Sequence, residues 1–129
     1  MALGKIKADT LEHSTAGSLG TEFFVNGSAK AWINFSMSGQ SITDSFGFSS
    51  IADVDTGRFN CTMSTALANA TYTVASDSTY VSGACNAVCL RDDQLTRTTT
   101  AYQMYSSQSN AVTATDCTSV MNQICGDKA

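Results

Sequence analysis

Proline is absent from this sequence, and charge is scarce: Asp, Glu, Lys and Arg make up 14% of it. Without proline, no strand interior loses a ladder donor and no slow prolyl isomerisation precedes folding. The seven basic residues, Lys5, Lys7, Lys30, Arg58, Arg91, Arg97 and Lys128, are scattered, and the net charge is −4. No basic stripe exists to neutralise a run of phosphates, which argues against nucleic acid as a direct partner. Long apolar runs are missing too. None approaches the roughly 20 residues of a membrane-spanning helix, so no membrane partner is expected. The opening Met1–Lys7 lacks the apolar stretch and small-residue cleavage site of a secretory signal, which places synthesis in a cytosol, with retention there or export inside a larger assembly.

Ser and Thr fill much of the space left, at roughly a quarter of the chain, well above the usual share. Thr suits strands, and Ser and Gly suit the turns between them. A chain of 129 residues supports one core. Alternation is clearest in two places. Ala31, Ile33 and Phe35 share one face of a strand-like run, with Lys30, Trp32 and Asn34 on the other; Phe59, Cys61 and Met63 are opposed in the same way to Arg58, Asn60 and Thr62. Strand candidates lie near 22–26, 29–37, 45–51, 57–64, 70–75, 79–82, 95–105 and 111–115, the spacing of a sandwich or barrel. Residues 66–70 read as a short helix-prone link. Residues 116–125 read as a short helix with Val120, Met121, Ile124 and Cys125 as its apolar stripe and Gly126 as its stop. Residues 1–22 show no period and read as an arm, either disordered or tied down on a neighbour, with Leu3, Ile6 and Leu11 as its apolar contacts. The expectation is an all-β protein: an antiparallel β-sandwich, jelly-roll or Ig-like, over residues 23–129, with an extended N-terminal arm and at most one short C-terminal helix.

Chemistry-bearing motifs are few. Asp55-Thr56-Gly57 matches the triplet of retroviral-type aspartic proteases, in which two carboxylates share a proton and activate water. That family wants apolar residues before the aspartate and a small residue after the glycine; this chain has Asp53 and Arg58 there, and no later apolar-apolar-Gly element. A hairpin turn explains the triplet better, with glycine supplying positive φ and aspartate capping it. Asp53-x-Asp55-x-Gly57 also opens like a calcium loop, but the only glutamates, Glu12 and Glu22, lie upstream, and no metal or other cofactor is expected. His13 has no partner suited to nucleophilic catalysis, and no enzyme is expected. The sequons at Asn26, Asn34, Asn60 and Asn69 follow from a Ser/Thr-rich composition. Cys61, Cys85, Cys89, Cys117 and Cys125 read mainly as small buried hydrophobes, mostly reduced in a cytosolic product; a Cys117–Cys125 or Cys85–Cys89 disulfide stays open. Trp32, on the face opposite Ile33 and Phe35, with Tyr102 and Tyr105 on opposite faces of their strand, are the candidate contacts for a partner or a glycan.

The order of several segments carries a resemblance. Gly4–Leu11, His13–Gly17, Val25–Phe35, Asp44–Phe46, Ser49–Ile51, the turn ending at Gly57 and Ala68–Val74 together resemble short virion proteins of tailed, marine-type bacteriophages, described as tail-fibre-like or structural. The likeness covers about the first 75 residues and stops near Ser76. It implies a non-catalytic β domain on the virion surface, made in the host cytoplasm. Such a domain is commonly a homotrimer, bound to itself and to major capsid or tail proteins. With only an arm and one domain, a capsid decoration protein or short appendage is expected; a receptor- or glycan-binding knob, touching host surface glycan, is the alternative, and an aspartic protease a remote one.

Overall fold

Two four-stranded antiparallel sheets face each other across one core in the structure, a computed structural model that describes residues 4, 7–79, 86–90, 97–108 and 114–127, with the backbone alone over 86–90 and at 108. The first sheet contains β3 (Ala31–Ser36), β4 (Ser41–Phe46), β7 (Thr73–Ser78) and β10 (Val120–Cys125), in the order β4-β3-β10-β7. The second contains β5 (Phe48–Asp55), β6 (Arg58–Met63), β8 (Asn86–Leu90) and β9 (Ala101–Gln108), in the order β5-β6-β9-β8. This is the antiparallel sandwich expected from the alternating runs.

The core follows the period-2 pattern. Ala31, Ile33 and Phe35 of β3 and Val120 and Ile124 of β10 face Phe59, Cys61 and Met63 of β6 and Tyr102 and Met104 of β9, all buried. Phe35 and Phe59 meet across the sheets with ring centroids 5.9 Å apart. Cys61 and Cys117 are buried free thiols and Cys125 is a half-buried one, so no Cys117–Cys125 disulfide forms. Cys85 lies outside the described residues, as does the side chain of Cys89.

One glycine makes the corner between sheets. The 45–51 candidate is not one strand but the end of β4, Gly47 and the start of β5. Gly47 has φ +77°, and a Cβ there would sit 3.0 Å from Ala31 Cβ and 3.3 Å from the Lys30 carbonyl. The chain turns at that point, its Gly47 carbonyl accepting from Ser64 N at 2.9 Å.

Several expectations are corrected. Residues 120–125 form a strand, not a helix, because Val120, Asn122 and Ile124 point inward and each finds a place in the core. Residues 66–70 form no helix; Leu67 N and Ala68 N instead bond the carbonyls of Thr99 and Asp127. The 22–26 candidate is helical: α1 spans Thr21–Gly27, with Glu22 favourably placed in its first turn. The strand expected at 95–105 begins only at Ala101, since the Thr98 hydroxyl accepts from Thr100 N and Ala101 N and holds a turn just before it. Thr79 lies past the end of β7, and 80–82 fall outside the described residues, as do 95–96 and 111–113. Ala114 makes an isolated bridge to Ser107.

Before the sandwich, the arm is folded locally. β1 (Thr10–His13) and β2 (Gly17–Gly20) form a hairpin that leads into α1. His13 Nδ1 closes the hairpin turn, accepting from Thr15 N at 3.3 Å and Ala16 N at 3.2 Å. The Thr21 hydroxyl donates to the Ala8 carbonyl at 2.7 Å and ties the helix start to the hairpin base.

Candidate functional site

Two surfaces stand out. The first belongs to the hairpin and α1. None of the α1 residues is buried, and all of β1 is exposed. Leu11, Leu19, Phe23, Phe24 and Val25 are 44–63% exposed, an apolar set left open among the described residues. The set continues onto the sandwich: a groove of about 410 Å³ between α1 and β4 is lined by Phe24, Val25, Lys30 and Phe46. Of the expected arm contacts, Leu11 belongs to this set, and Leu3 and Ile6 lie outside the described residues.

The second surface is the outer face of the first sheet. Alternation along β3 turns Trp32 and Asn34 away from the core. Register then builds two rungs across three strands. Trp32 is opposite Gln123, which is opposite Ala75; Asn34 is opposite Met121, which is opposite Asp77. These side chains line a shallow groove of about 440 Å³. Trp32 is 39% exposed and Met121 is 42% exposed. The Ser119 hydroxyl donates to Asn34 Oδ1 at 2.9 Å and orients that amide. Trp32 is partly exposed, one of the two outcomes, with cover on both faces, that its place in the alternation left open. The partners β10 and β7 bring to it were not foreseen; with β10 read as a helix, its register with β3 was invisible.

Tyr102 is corrected as a contact residue. It is fully buried, opposite Cys61 across β6 and β9, with its ring edge-on to Phe48 and Tyr72. Tyr105, on the opposite face of β9, is half-buried opposite Arg58. The core around Tyr102 is polar at one point: Asn122 Nδ2 donates to its hydroxyl at 3.0 Å. Burial pushes the Tyr102 hydroxyl well above its ordinary range, and the nearby Cys61 adds to this. Burial also pushes the Cys61 thiol up to about 12, against a smaller opposing effect of its hydrogen bond with Tyr102. A thiol held neutral in this way is a poor nucleophile.

The Asp55-Thr56-Gly57 triplet closes the β5–β6 hairpin. Asp55 Oδ1 accepts from Thr56 N at 2.8 Å, and its Oδ2 lies 4.0 Å from a guanidinium nitrogen of Arg58; the carboxylate is exposed and the arginine half-buried. Gly57 has φ +71°, donates to Asp116 Oδ1 at 2.6 Å and accepts from Ser106 N at 2.8 Å. Asp53 Oδ2 accepts from Gln40 Nε2 at 2.7 Å. The Asp55 carboxylate and the Gly57 backbone are thus engaged in holding the turn and its neighbours. Among the described residues no three His, Cys, Asp or Glu side chains converge as metal ligands, and no helix is long and apolar enough to cross a membrane. No protein-family model matches the chain, and no curated protein or solved structure matches it either.

Proposed function

We propose that the protein is a non-enzymatic structural component of a bacteriophage virion surface, a capsid decoration protein or short appendage, which assembles as a homotrimer and grips its neighbours through the N-terminal hairpin and helix. The observation that carries this reading is the uncovered apolar set Leu11, Leu19, Phe23, Phe24 and Val25 on a segment that buries none of its helical residues. A contiguous apolar surface of this kind marks an interaction site. Fully covering a Leu, Val or Phe side chain contributes roughly 1.5–3 kcal/mol, so even partial cover of five such groups favours a partner. The resemblance over residues 4–74 to short virion proteins points the same way, as does a Ser/Thr-rich, mildly acidic exterior. The partners are further copies of the chain and a major capsid or tail protein.

The test is composition and heat stability of purified virions. The reading expects the protein in virions at a copy number matching a capsid lattice or a set of appendages. Removing residues 1–28 should abolish its incorporation while the sandwich still folds. Absence from purified virions, or undiminished incorporation of the truncated chain, would contradict the reading.

A further inference from the structure

We infer that the groove over Trp32 on the outer face of the first sheet is a binding site for a neutral glycan, a role independent of the assembly reading. The groove combines one half-exposed indole and a thioether with side-chain amides and a carboxylate: Trp32 and Met121 beside Asn34, Gln123 and Asp77. A sugar ring offers the matching surfaces, an apolar face of C–H groups that packs on an aromatic ring and an equatorial rim of hydroxyls that both donate and accept. Among the described residues, Asn34 Nδ2 and Gln123 Oε1 make no internal hydrogen bond, leaving one donor and one acceptor for such a rim. Asp77 Oδ1 already accepts from Ser78 N at 2.8 Å, which fixes the carboxylate while its other oxygen accepts from a ligand.

Spacing sets the length of the ligand. Neighbouring strands lie about 4.8 Å apart and successive rungs about 6.8 Å apart, so the diagonal from Trp32 on β3 to Asp77 on β7 is on the order of 12 Å. That distance suits two or three linked sugar rings better than one. Ala75, beyond Gln123 on the Trp32 rung, leaves the β7 end of that rung open. Charge selects the class. No basic side chain lines the groove, Asp77 sits at one end, and Asp44 pairs with Asn34 from the β4 side. An anionic glycan, a nucleic acid or an acidic lipid surface would meet uncompensated carboxylates there.

Trp32 is the only tryptophan, so intrinsic emission reports on this groove alone. The full-length protein is titrated with soluble neutral oligosaccharides, namely the gluco-, galacto-, manno- and N-acetylglucosamine series, and in parallel with polygalacturonate. The expected result is a saturable blue shift and intensity change with at least one neutral series and none with the uronate. By calorimetry, Trp32→Ala weakens that binding at least tenfold, and Asp77→Asn and Gln123→Ala weaken it severalfold with unchanged Tm. Asp77 is on an edge strand, so Asp77→Asn keeps the test intact if Trp32→Ala does not fold. The inference is overturned if no neutral series perturbs the emission, if binding survives in both Trp32→Ala and Asp77→Asn, or if polygalacturonate binds equally. It is also overturned if the emission shifts with protein concentration alone, which would make the groove a contact between copies.

Discussion

Asn122 on β10 donates a hydrogen bond to the hydroxyl of Tyr102 on β9, at 3.0 Å, so a buried side-chain pair ties one sheet of the sandwich to the other through the middle of the core. Cutting the pair from one side leaves the Asn122 amide unmet in an apolar interior, where an orphaned group costs about 1–3 kcal/mol. Tyr102→Phe is therefore expected to lose that much stability in urea unfolding. The double variant Tyr102→Phe, Asn122→Leu is expected to recover most of it. A double variant as weak as the sum of its single changes would show that the pair contributes nothing specific.

The same pair explains what the sequence concealed. The alternating sets Ala31, Ile33, Phe35 and Phe59, Cys61, Met63 were legible because every inward position is apolar. In 120–125 the middle inward position is Asn122, which breaks the period-2 pattern and leaves Val120 and Ile124 four apart, the spacing of a helix face. Only a partner hydroxyl on a distant strand makes an asparagine acceptable there, and that partner is not local. Tyr102 reads as a partner contact rather than as core for the converse reason: its polar end is satisfied inside. Phe23-Phe24-Val25 was ambiguous because a short apolar run fits either element, and its helix leaves all three exposed. Of the outer-face groove, Trp32 could be placed from alternation, whereas Met121, Gln123 and Asp77 reach it only through the β3-β10-β7 register.

Alkaline pH should destabilise the protein from about pH 9 upward. Cys61 has an ordinary value of 9.0, raised by burial to about 12 in the folded state. Tyr102 is raised in the same direction. Both groups are neutral when protonated, so their contribution is fully present below the unfolded values and is lost as pH rises toward the folded ones. Between about pH 9 and 12 the unfolded chain releases the Cys61 proton and the native chain keeps it, a loss of about 1.4 kcal/mol per pH unit. Urea midpoints across this range should fall less steeply in Cys61→Ala than in the parent chain. Parallel slopes would place the thiol's burial elsewhere than the core.

The two turn positions at the β5–β6 hairpin should respond very differently. In Gly57→Ala the new Cβ would lie 2.6 Å from the Ser106 carbonyl oxygen and 2.9 Å from Thr115 N, both backbone atoms, at φ +71°. A cost above about 2 kcal/mol is expected from the conformation and the clash together. Asp55→Asn changes only an exposed contact and should stay within about 0.5 kcal/mol. Thermal unfolding of both variants decides this. Equal, small effects would contradict the close packing of Gly57 under Ser106.

Assembly through the N-terminal segment is tested by the mass of the protein in solution, by light scattering and mass photometry, for the parent chain and for the triple variant Phe23→Ser, Phe24→Ser, Val25→Ser. Those three side chains are 59–63% exposed and lie outside the sandwich core, so the variant should keep the parent's far-UV spectrum and urea midpoint at protein concentrations where both are monomeric. A trimeric parent at micromolar concentration and a monomeric variant are expected. A parent that is monomeric at every concentration, or a variant that assembles as well as the parent, would contradict assembly through this segment.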